Sequence, residues 1–307
     1  MKRLLPIFLI ILISGCQRPH KQVYLFSYFK ENGQDGLHLA YSRDGYHWKA
    51  LKNDQSFLTP EVAEDKLMRD PCIIQGADKK FRMVWTVSWN DRGIGYASSD
   101  DLIHWSKQAF IPAMKDEPTA LNCWAPEIFY DEEKDLYMIY WATTIPGRFT
   151  EGDTQGDDKY NHRLYFMTTK DFGTFSETRL LYDEGFNVID ATIRKINGKY
   201  TMFLKDETRM PAKKHILIAE SDSLTGGYHL IGKPITPDWV EGPTVANVDG
   251  YWVVYYDEYT RHHMGAVRSR DLETWEVITD SVHFPEGMRH GTVFRAQESI
   301  LDNLLKE

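Results

Sequence analysis

Runs of lysine or arginine are absent from this 307-residue sequence, whose formal net charge is −9. That charge balance argues against nucleic acid or another polyanion as a partner. No segment rich in glycine, proline and serine divides the chain, so an appended binding module is not expected. Outside the last dozen residues, no window of 11 or more residues has a 3.6-residue apolar period, which disfavours an alternating βαβ fold. The tail around Ile300 and Leu304 is predicted to form a short surface helix.

Cysteine is also scarce, with Cys16 near the N-terminus and only Cys72 and Cys123 after it. Cysteine packs as a small hydrophobic side chain, so the sequence favours two buried free thiols at positions 72 and 123. A disulfide between them stays open, because the sequence does not show whether the two residues lie close together.

The N-terminus has the pattern of an export signal. Two basic residues precede an apolar run at 4–13, which ends in Ser-Gly-Cys16. About ten apolar residues are too few to cross a membrane, which takes roughly 20 in a helix. The small residues before Cys16 resemble a bacterial lipobox, which implies that 1–16 is a signal peptide, that Cys16 is lipidated and that 17–22 is a polar tether. We therefore expect an exported protein, anchored by lipid to a bacterial membrane on the periplasmic side or at the cell surface.

A short motif recurs five times along the chain. Each copy contains a serine or threonine, a nearby aspartate and then an aromatic residue; the aspartates are Asp44, Asp101, Asp171, Asp222 and Asp271. The copies lie about 50 to 70 residues apart, which is near the spacing of one four-stranded propeller blade per repeat. An aspartate that caps a turn ahead of a packed aromatic ring is a structural device, so these residues are assigned no chemistry.

The strand pattern predicts a closed ring. Before each motif copy lies a strand rich in aromatic and β-branched residues, at 23–29, 82–89, 136–143, 200–205 and 251–256. Four of these follow another strand, which begins at Asp70, near Trp124, at Asp190 or at Glu241. The first repeat lacks that leading strand, while the stretch at 290–295 has no partner; joining the two leaves no exposed edge. The sequence therefore predicts one all-β domain over 23–307, a five-bladed β-propeller whose C-terminal strand completes the N-terminal blade.

Three of the predicted leading strands begin with an acidic residue. Asp70 lies in Arg-Asp-Pro, Asp190 in Ile-Asp-Ala-Thr and Glu241 in Glu-Gly-Pro. The innermost strands of a propeller surround one channel, so their starting ends converge on a small volume. Burying three acids together is costly, which points to function rather than to three independent turn caps.

These motifs, together with Trp124-Ala-Pro-Glu127, resemble the family 43 glycoside hydrolases over nearly the whole mature chain. The resemblance implies that Asp70 is the general base, that Asp190 tunes a neighbouring pKa and that Glu241 is the general acid. It also implies substrates that contain arabinose or xylose. Glu127 is the rival for the acid role, but its family position suggests a structural part.

Inverting hydrolysis explains why three carboxyl groups are needed. One ionised carboxylate activates water, and one protonated carboxyl group donates to the leaving oxygen from the opposite side. A third carboxylate near Glu241 is expected to raise its pKa by repulsion between like charges, which is the role assigned to Asp190. Azide added to Glu241→Gln is expected to give no product of retained configuration, because an inverting site forms no covalent glycosyl intermediate.

Aromatic and basic residues near the strand starts are the candidates for binding sugar. They are Trp89 and Trp124, with Trp239 as a further candidate, and the arginines Arg69 and Arg289. The polar segment at 145–161 falls on the same face and is expected to form a wall or a lid of the site. A monomer is expected, with an oligosaccharide or polysaccharide as its partner and no cofactor required for catalysis.

His290 begins the closing strand and is expected to point into the channel. The resemblance implies a histidine here that lies near a hydrated calcium ion in some family members. One histidine is a poor calcium site by itself, since calcium prefers six to eight oxygen ligands. A structural calcium ion and a buried, hydrogen-bonded histidine are the two alternatives at this position.

Two other readings of the sequence stay open. One is a glycan-binding lipoprotein that kept the propeller and lost hydrolysis, against which the intact set of carboxylates argues. The other is a hydrolase or phosphorylase of a neighbouring propeller family with another substrate. Phosphorolysis needs a basic cluster for phosphate, and only Arg69 and Arg289 stand out near the predicted site.

Overall fold

A computed structural model describes residues 22–149 and 160–307 of the chain. The predicted signal peptide, Cys16 and all of the tether before Gln22 lie outside the described residues, as does the part of the predicted wall at 150–159. None of the described helices is both long and apolar enough to span a membrane.

The described strands form five four-stranded antiparallel sheets, so the predicted five-bladed propeller is confirmed. From the innermost strand outward, the first blade is β20 (Arg289–Gln297), β1 (Gln22–Phe29), β2 (His38–Ser42) and β3 (Lys49–Ala50). The second is β4 (Arg69–Gln75), β5 (Phe81–Thr86), β6 (Ile94–Ser99) and β7 (Ala109–Ile111), and the third is β8 (Trp124–Asp131), β9 (Leu136–Thr143), β10 (Arg163–Thr169) and β11 (Arg179–Tyr182). The fourth is β12 (Val188–Ile196), β13 (Lys199–Asp206), β14 (His215–Ser221) and β15 (His229–Ile231), and the fifth is β16 (Glu241–Val248), β17 (Tyr251–Glu258), β18 (His263–Ser269) and β19 (Glu276–Val277).

Both ends of the chain build the first blade. β20 pairs along β1 from Gln22 opposite Gln297 to Phe29 opposite Arg289. The predicted closure is therefore present, and the first blade has no open inner edge. The tail forms α1 (Glu298–Leu304), and its Leu301 and Leu304 are fully buried against the first two blades.

The core lies between neighbouring blades. Leu25 and Leu39 of the first blade pack with Met83 and Trp85 of the second in one hydrophobic cluster. Trp85 and Trp141 are both completely buried. Alternating side chains of each sheet thus fill the space toward both neighbouring blades. The aromatic and β-branched composition of the strands predicts this packing.

The repeated motif closes the turn after the third strand of a blade. The Asp44 carboxylate accepts hydrogen bonds from the backbone N–H groups of Tyr46 and His47, both at 2.8 Å. The expected structural role is therefore confirmed there. The fourth copy needs a correction: Ser221 Oγ accepts from the N–H of Ser223 at 3.0 Å, and no such bond to Asp222 occurs in the described chain.

The second strand of the second blade is shorter than the sequence predicted. β5 ends at Thr86, three residues before the predicted end, and Trp89 leaves the sheet.

Cys72 and Cys123 are both buried free thiols, as the sequence favoured. Burial raises the pKa of both thiols, so neither is a reactive thiolate.

Candidate active site

The innermost strands begin with an irregularity that turns side chains into the channel. In β4, β8, β12, β16 and β20 the pairing register shifts just after the first residue or two. A bulge of this kind leaves one residue unpaired and aims its side chain in a new direction. Asp70, Ala125, Asp190 and Gly242 occupy these positions with φ of 53°, 46°, 51° and 59°. Backbone of this kind is uncommon for residues other than glycine and concentrates at functional sites.

A cavity of about 360 Å³, here called the carboxylate pocket, lies at this end of the channel. Its lining includes the predicted site residues Arg69, Asp70, Trp89, Trp124, Asp190, Glu241, Arg289 and His290. Five innermost strands and the loop after β5 thus bring these residues together from positions more than 200 residues apart in sequence. Trp239 is exposed and is not among the described residues that line the pocket.

Asp70 is buried and held by two partners. Thr86 Oγ1 donates to its Oδ2 at 2.7 Å, and His290 Nδ1 lies 3.2 Å from its Oδ1. Burial alone would raise the pKa of Asp70, but the charge and hydrogen bond of His290 outweigh burial and hold that pKa well below its usual range. Asp70 is therefore an ionised carboxylate, the state that a general base requires.

Asp190 is the carboxyl group that tends to keep a proton. Its Oδ2 accepts the backbone N–H of Gly242 at 3.1 Å and lies 3.9 Å from His290 Nδ1. Burial raises the pKa of Asp190 to about 7, and repulsion from Glu241 adds to the rise. The imidazolium of His290 opposes that shift without cancelling it.

Glu241 lies between two cations. Arg289 Nη2 is 2.9 Å from its Oε1, and Lys205 Nζ is 3.2 Å from its Oε2. Burial favours the neutral form, but Lys205 and then Arg289 outweigh burial and lower the pKa of Glu241. The two cations therefore oppose the predicted effect of Asp190, and a protonated Glu241 stays a prediction.

Each cation of this cluster has a second acidic partner. Arg289 Nε also donates to Asp257 Oδ2 at 2.8 Å. Lys205 Nζ lies 2.6 Å from Glu207 Oε2, and the rise in its pKa keeps this fully buried ammonium charged. Analysis of the sequence missed Lys205 as a site residue. The sequence did contain a signal for it. Lys205 lies at the end of an aromatic strand, where alternation would put another apolar side chain.

Arg69 and two tryptophans form one wall of the pocket. Arg69 Cζ lies 4.6 Å from the ring centre of Phe29 and 4.5 Å from that of Trp89, so its guanidinium is stacked between two aromatic rings. Arg69 Nη1 donates to Asn32 Oδ1 at 3.0 Å. Trp124 Nε1 donates to the carbonyl oxygen of Trp89 at 3.1 Å, which fixes the two indole rings edge to face.

Glu127 is buried deeper in the channel than the carboxylate pocket. Its carboxyl group accepts from Thr292 Oγ1 at 2.7 Å and Thr192 Oγ1 at 2.8 Å, with the Tyr140 hydroxyl at 3.3 Å. Burial raises its pKa. These bonds tie three blades together, so the geometry gives Glu127 the structural part and leaves Glu241 facing the pocket.

The surroundings of His290 do not fit a calcium ion. The described residues contain no group of three or more histidine, cysteine, aspartate or glutamate side chains arranged to hold a metal. Burial lowers the pKa of His290, but Asp70 and Asp190 outweigh burial and raise it to about 9. A protonated imidazole has no lone pair for a metal, so His290 acts here as the ion-pair partner of Asp70.

Several glycoside hydrolases are similar to this chain in sequence or in fold. An α-L-arabinofuranosidase of Bifidobacterium longum is 25% identical over 198 residues, which are 58% of this chain but 18% of that longer protein. The solved α-L-arabinofuranosidase of Clostridium thermocellum superposes with a TM-score of 0.57 at 14% identity, covering 85% of this chain and 91% of that one. A family 43 β-1,3-galactosidase solved with galactodeoxynojirimycin gives a TM-score of 0.57 at 13% identity, covering 89% and 93%. At such identities the structural matches show the fold alone.

A sequence family described as "Probable glycosyl hydrolase domain", related to family 43, matches residues 20–300. The match extends from β1 to α1 and includes all five blades and every residue of the carboxylate pocket. This chain therefore belongs to the family 43-related glycosyl hydrolases.

Proposed function

We propose that this protein hydrolyses O-glycosidic bonds in glycans that contain arabinose or xylose, with inversion of configuration. The observation that carries the proposal is that three carboxyl groups lie in one pocket and differ in protonation state. Asp70 is ionised beside His290, whereas Asp190 holds its proton up to about pH 7. An inverting site needs both kinds of carboxyl group, one to activate water and one to supply a proton.

In the proposed reaction, Asp70 accepts a proton from a water molecule, and the water oxygen attacks the anomeric carbon. Glu241 donates a proton to the leaving oxygen as the glycosidic bond breaks. Repulsion from Glu241 contributes to the raised pKa of Asp190, so the protonation of the two carboxyl groups is coupled. We propose that Glu241 carries the proton when a glycosidic oxygen lies against it.

The positioning residues follow from the same contacts. Arg289 and Lys205 hold the Glu241 side chain from two directions, and His290 holds Asp70. Trp89, 40% exposed, and the half-buried Trp124 offer ring faces and edges on which a sugar can stack. Arg69 has spare guanidinium donors for sugar hydroxyl groups, because within the described chain the guanidinium makes a hydrogen bond only to Asn32.

The test is to follow one turnover by proton NMR. Purified protein is mixed with nitrophenyl α-L-arabinofuranoside, β-D-xyloside and β-D-galactoside in separate tubes. An inverting enzyme first releases the sugar of opposite anomeric configuration, which then mutarotates. Release of the retained anomer contradicts inversion, and cleavage of the galactoside alone contradicts the arabinose or xylose assignment.

We also propose that the protein is anchored to a bacterial membrane through lipid on Cys16. The tether supports this, because Gln22 starts β1 at the end of the propeller opposite the carboxylate pocket. Six residues reach at most about 20 Å, so the pocket would open away from the bilayer. Radioactive palmitate should label the wild-type protein and not Cys16→Ser; label on both variants contradicts the proposal.

A further inference from the structure

The channel has a second cavity at the end opposite the carboxylate pocket. This distal cavity measures about 500 Å³ and lies where β4, β12, β16 and β20 end. Its polar lining includes Gln75, Arg194, Asn247 and Arg295, with the Trp252 ring beside them. None of the residues that line it is acidic, although the protein carries a net charge of −9.

Arg194 is fixed in the distal cavity by neutral acceptors. Its Nε donates to the carbonyl oxygen of Val245 at 3.0 Å, and its Nη1 donates to Thr192 Oγ1 at 3.1 Å and to the Ile193 carbonyl oxygen at 2.9 Å. Across the described residues, no carboxylate lies within 4 Å of this half-buried guanidinium, and its Nη2 has no protein acceptor. The side chain is therefore oriented in advance, with donors left over.

Arg295 is fixed in a similar way at the rim. Its Nη2 donates to the Asn247 carbonyl oxygen at 2.7 Å and to Tyr24 Oη at 3.1 Å, and its Cζ lies 5.1 Å from the Tyr24 ring centre. It too lacks an ion-pair partner among the residues that the structure describes. Two guanidinium groups from different blades thus share one cavity that contains no countercharge.

Glu127, the acid in the interior of the channel, does not supply that countercharge directly. Thr192 and Thr292 donate to its two oxygens and separate it from the cavity. Thr192 Oγ1 is also the group that accepts from Arg194, so the threonine stands between the cation and the acid.

We propose that the distal cavity binds a small oxyanionic molecule of about monosaccharide size, a sugar acid or a sugar phosphate. Guanidinium donors match the planar or tetrahedral oxygens of carboxylate and phosphate. A volume of about 500 Å³ is far larger than one ion requires and falls within the range of small-molecule sites. Gln75, Asn247 and the Trp252 ring are placed to contact hydroxyl groups and the sugar face.

Isothermal titration calorimetry tests the proposal with D-glucuronate and D-glucose 6-phosphate, and with D-glucose as the neutral control. The two anions distinguish a carboxylate site from a phosphate site. We expect at least one anion to bind, glucose not to bind, and affinity to fall at least tenfold in Arg295→Gln and in Arg194→Gln. Glu241→Gln, in the carboxylate pocket, should bind the anion as the wild type does.

Arg295→Gln decides the question if Arg194→Gln fails to fold, because Arg295 is exposed and its loss removes no buried bond. Hydrolytic activity of Arg295→Gln should equal that of the wild type, which separates this site from the reaction centre. Absence of heat with both anions overturns the proposal. So does an affinity that survives Arg295→Gln, or one that disappears in Glu241→Gln.

Discussion

Asp70 and Glu241 lie in one pocket but face different charges, and this difference should be visible in their mutants. A nitrophenyl group leaves without protonation, whereas a natural sugar leaving group needs an acid. Glu241→Gln should therefore keep much of its activity on a nitrophenyl glycoside and lose most of it on an oligosaccharide. Asp70→Asn should lose activity on both, because water must be activated in either case.

Steady-state kcat values on the two substrates check this prediction, with Glu127→Gln as the matched control. Glu127 is buried below the pocket and should show no dependence on the leaving group. If Glu127→Gln behaves as predicted for Glu241→Gln, the acid has been assigned to the wrong residue.

Asp190 and Asp70 should affect stability with opposite pH dependence. The pKa of Asp190 is about 7 in the folded protein against 3.8 ordinarily, so its contribution to stability is complete below about pH 4 and is lost as pH rises to 7. Asparagine does not titrate, so Asp190→Asn should gain stability relative to the wild type over that interval. One pKa unit corresponds to about 1.4 kcal/mol, which makes the expected gain a few kcal/mol.

The pKa of Asp70 is lowered by folding, so its contribution is present above its ordinary value and is lost as pH falls below it. Asp70→Asn should therefore be less stable than the wild type at neutral pH, with a smaller deficit in acid. Urea denaturation between pH 2 and pH 8 measures both variants. Parallel curves for the two variants would contradict the assigned charge states.

At the scale of the strand, the start of β16 depends on a glycine that no other residue can replace. Gly242 has φ of +59°, and a Cβ there would lie 2.2 Å from His290 Cγ. Gly242→Ala should therefore displace His290 from Asp70 and inactivate the protein. A strained or overpacked site costs about 1–3 kcal/mol, and we expect a loss of stability in the upper part of that range, above about 2 kcal/mol.

Gly198 provides the control, since its φ is +85° and nothing lies within 4 Å of a Cβ there. Gly198→Ala should cost only about 1 kcal/mol through the backbone and leave activity intact. Thermal melting and initial rates compare the two variants. Equal loss of activity in both would show that the approach of His290 to Gly242 is not what matters.

At the scale of the whole molecule, the ring depends on β20. Deleting residues from Arg289 onward removes the innermost strand of the first blade and should prevent cooperative folding. Deleting only the residues after Gln297 removes α1 with the buried Leu301 and Leu304, and should give a folded protein with a lower melting temperature. Circular dichroism melts distinguish the two. Equal stability of both truncations would contradict closure of the ring by β20.

The sequence by itself determined the five blades, the closing strand and the three acidic strand starts. It could do so because blade repeats, strand composition and turn signals are local, and because the order Asp70, Asp190, Glu241 is distinctive along the chain. The pairing of the first and last strands could also be predicted, because each strand lacks a partner within its own repeat.

Only the tertiary structure decided the charge states and the second cavity. The pKa of Glu241 depends on Lys205 and Arg289, which reach it from other strands, so a motif around position 241 carries no information about them. The distal cavity likewise depends on Arg194 and Arg295 coming together from two blades. Electrostatic interaction depends on distance and burial rather than on sequence separation, and the ring closure sets both.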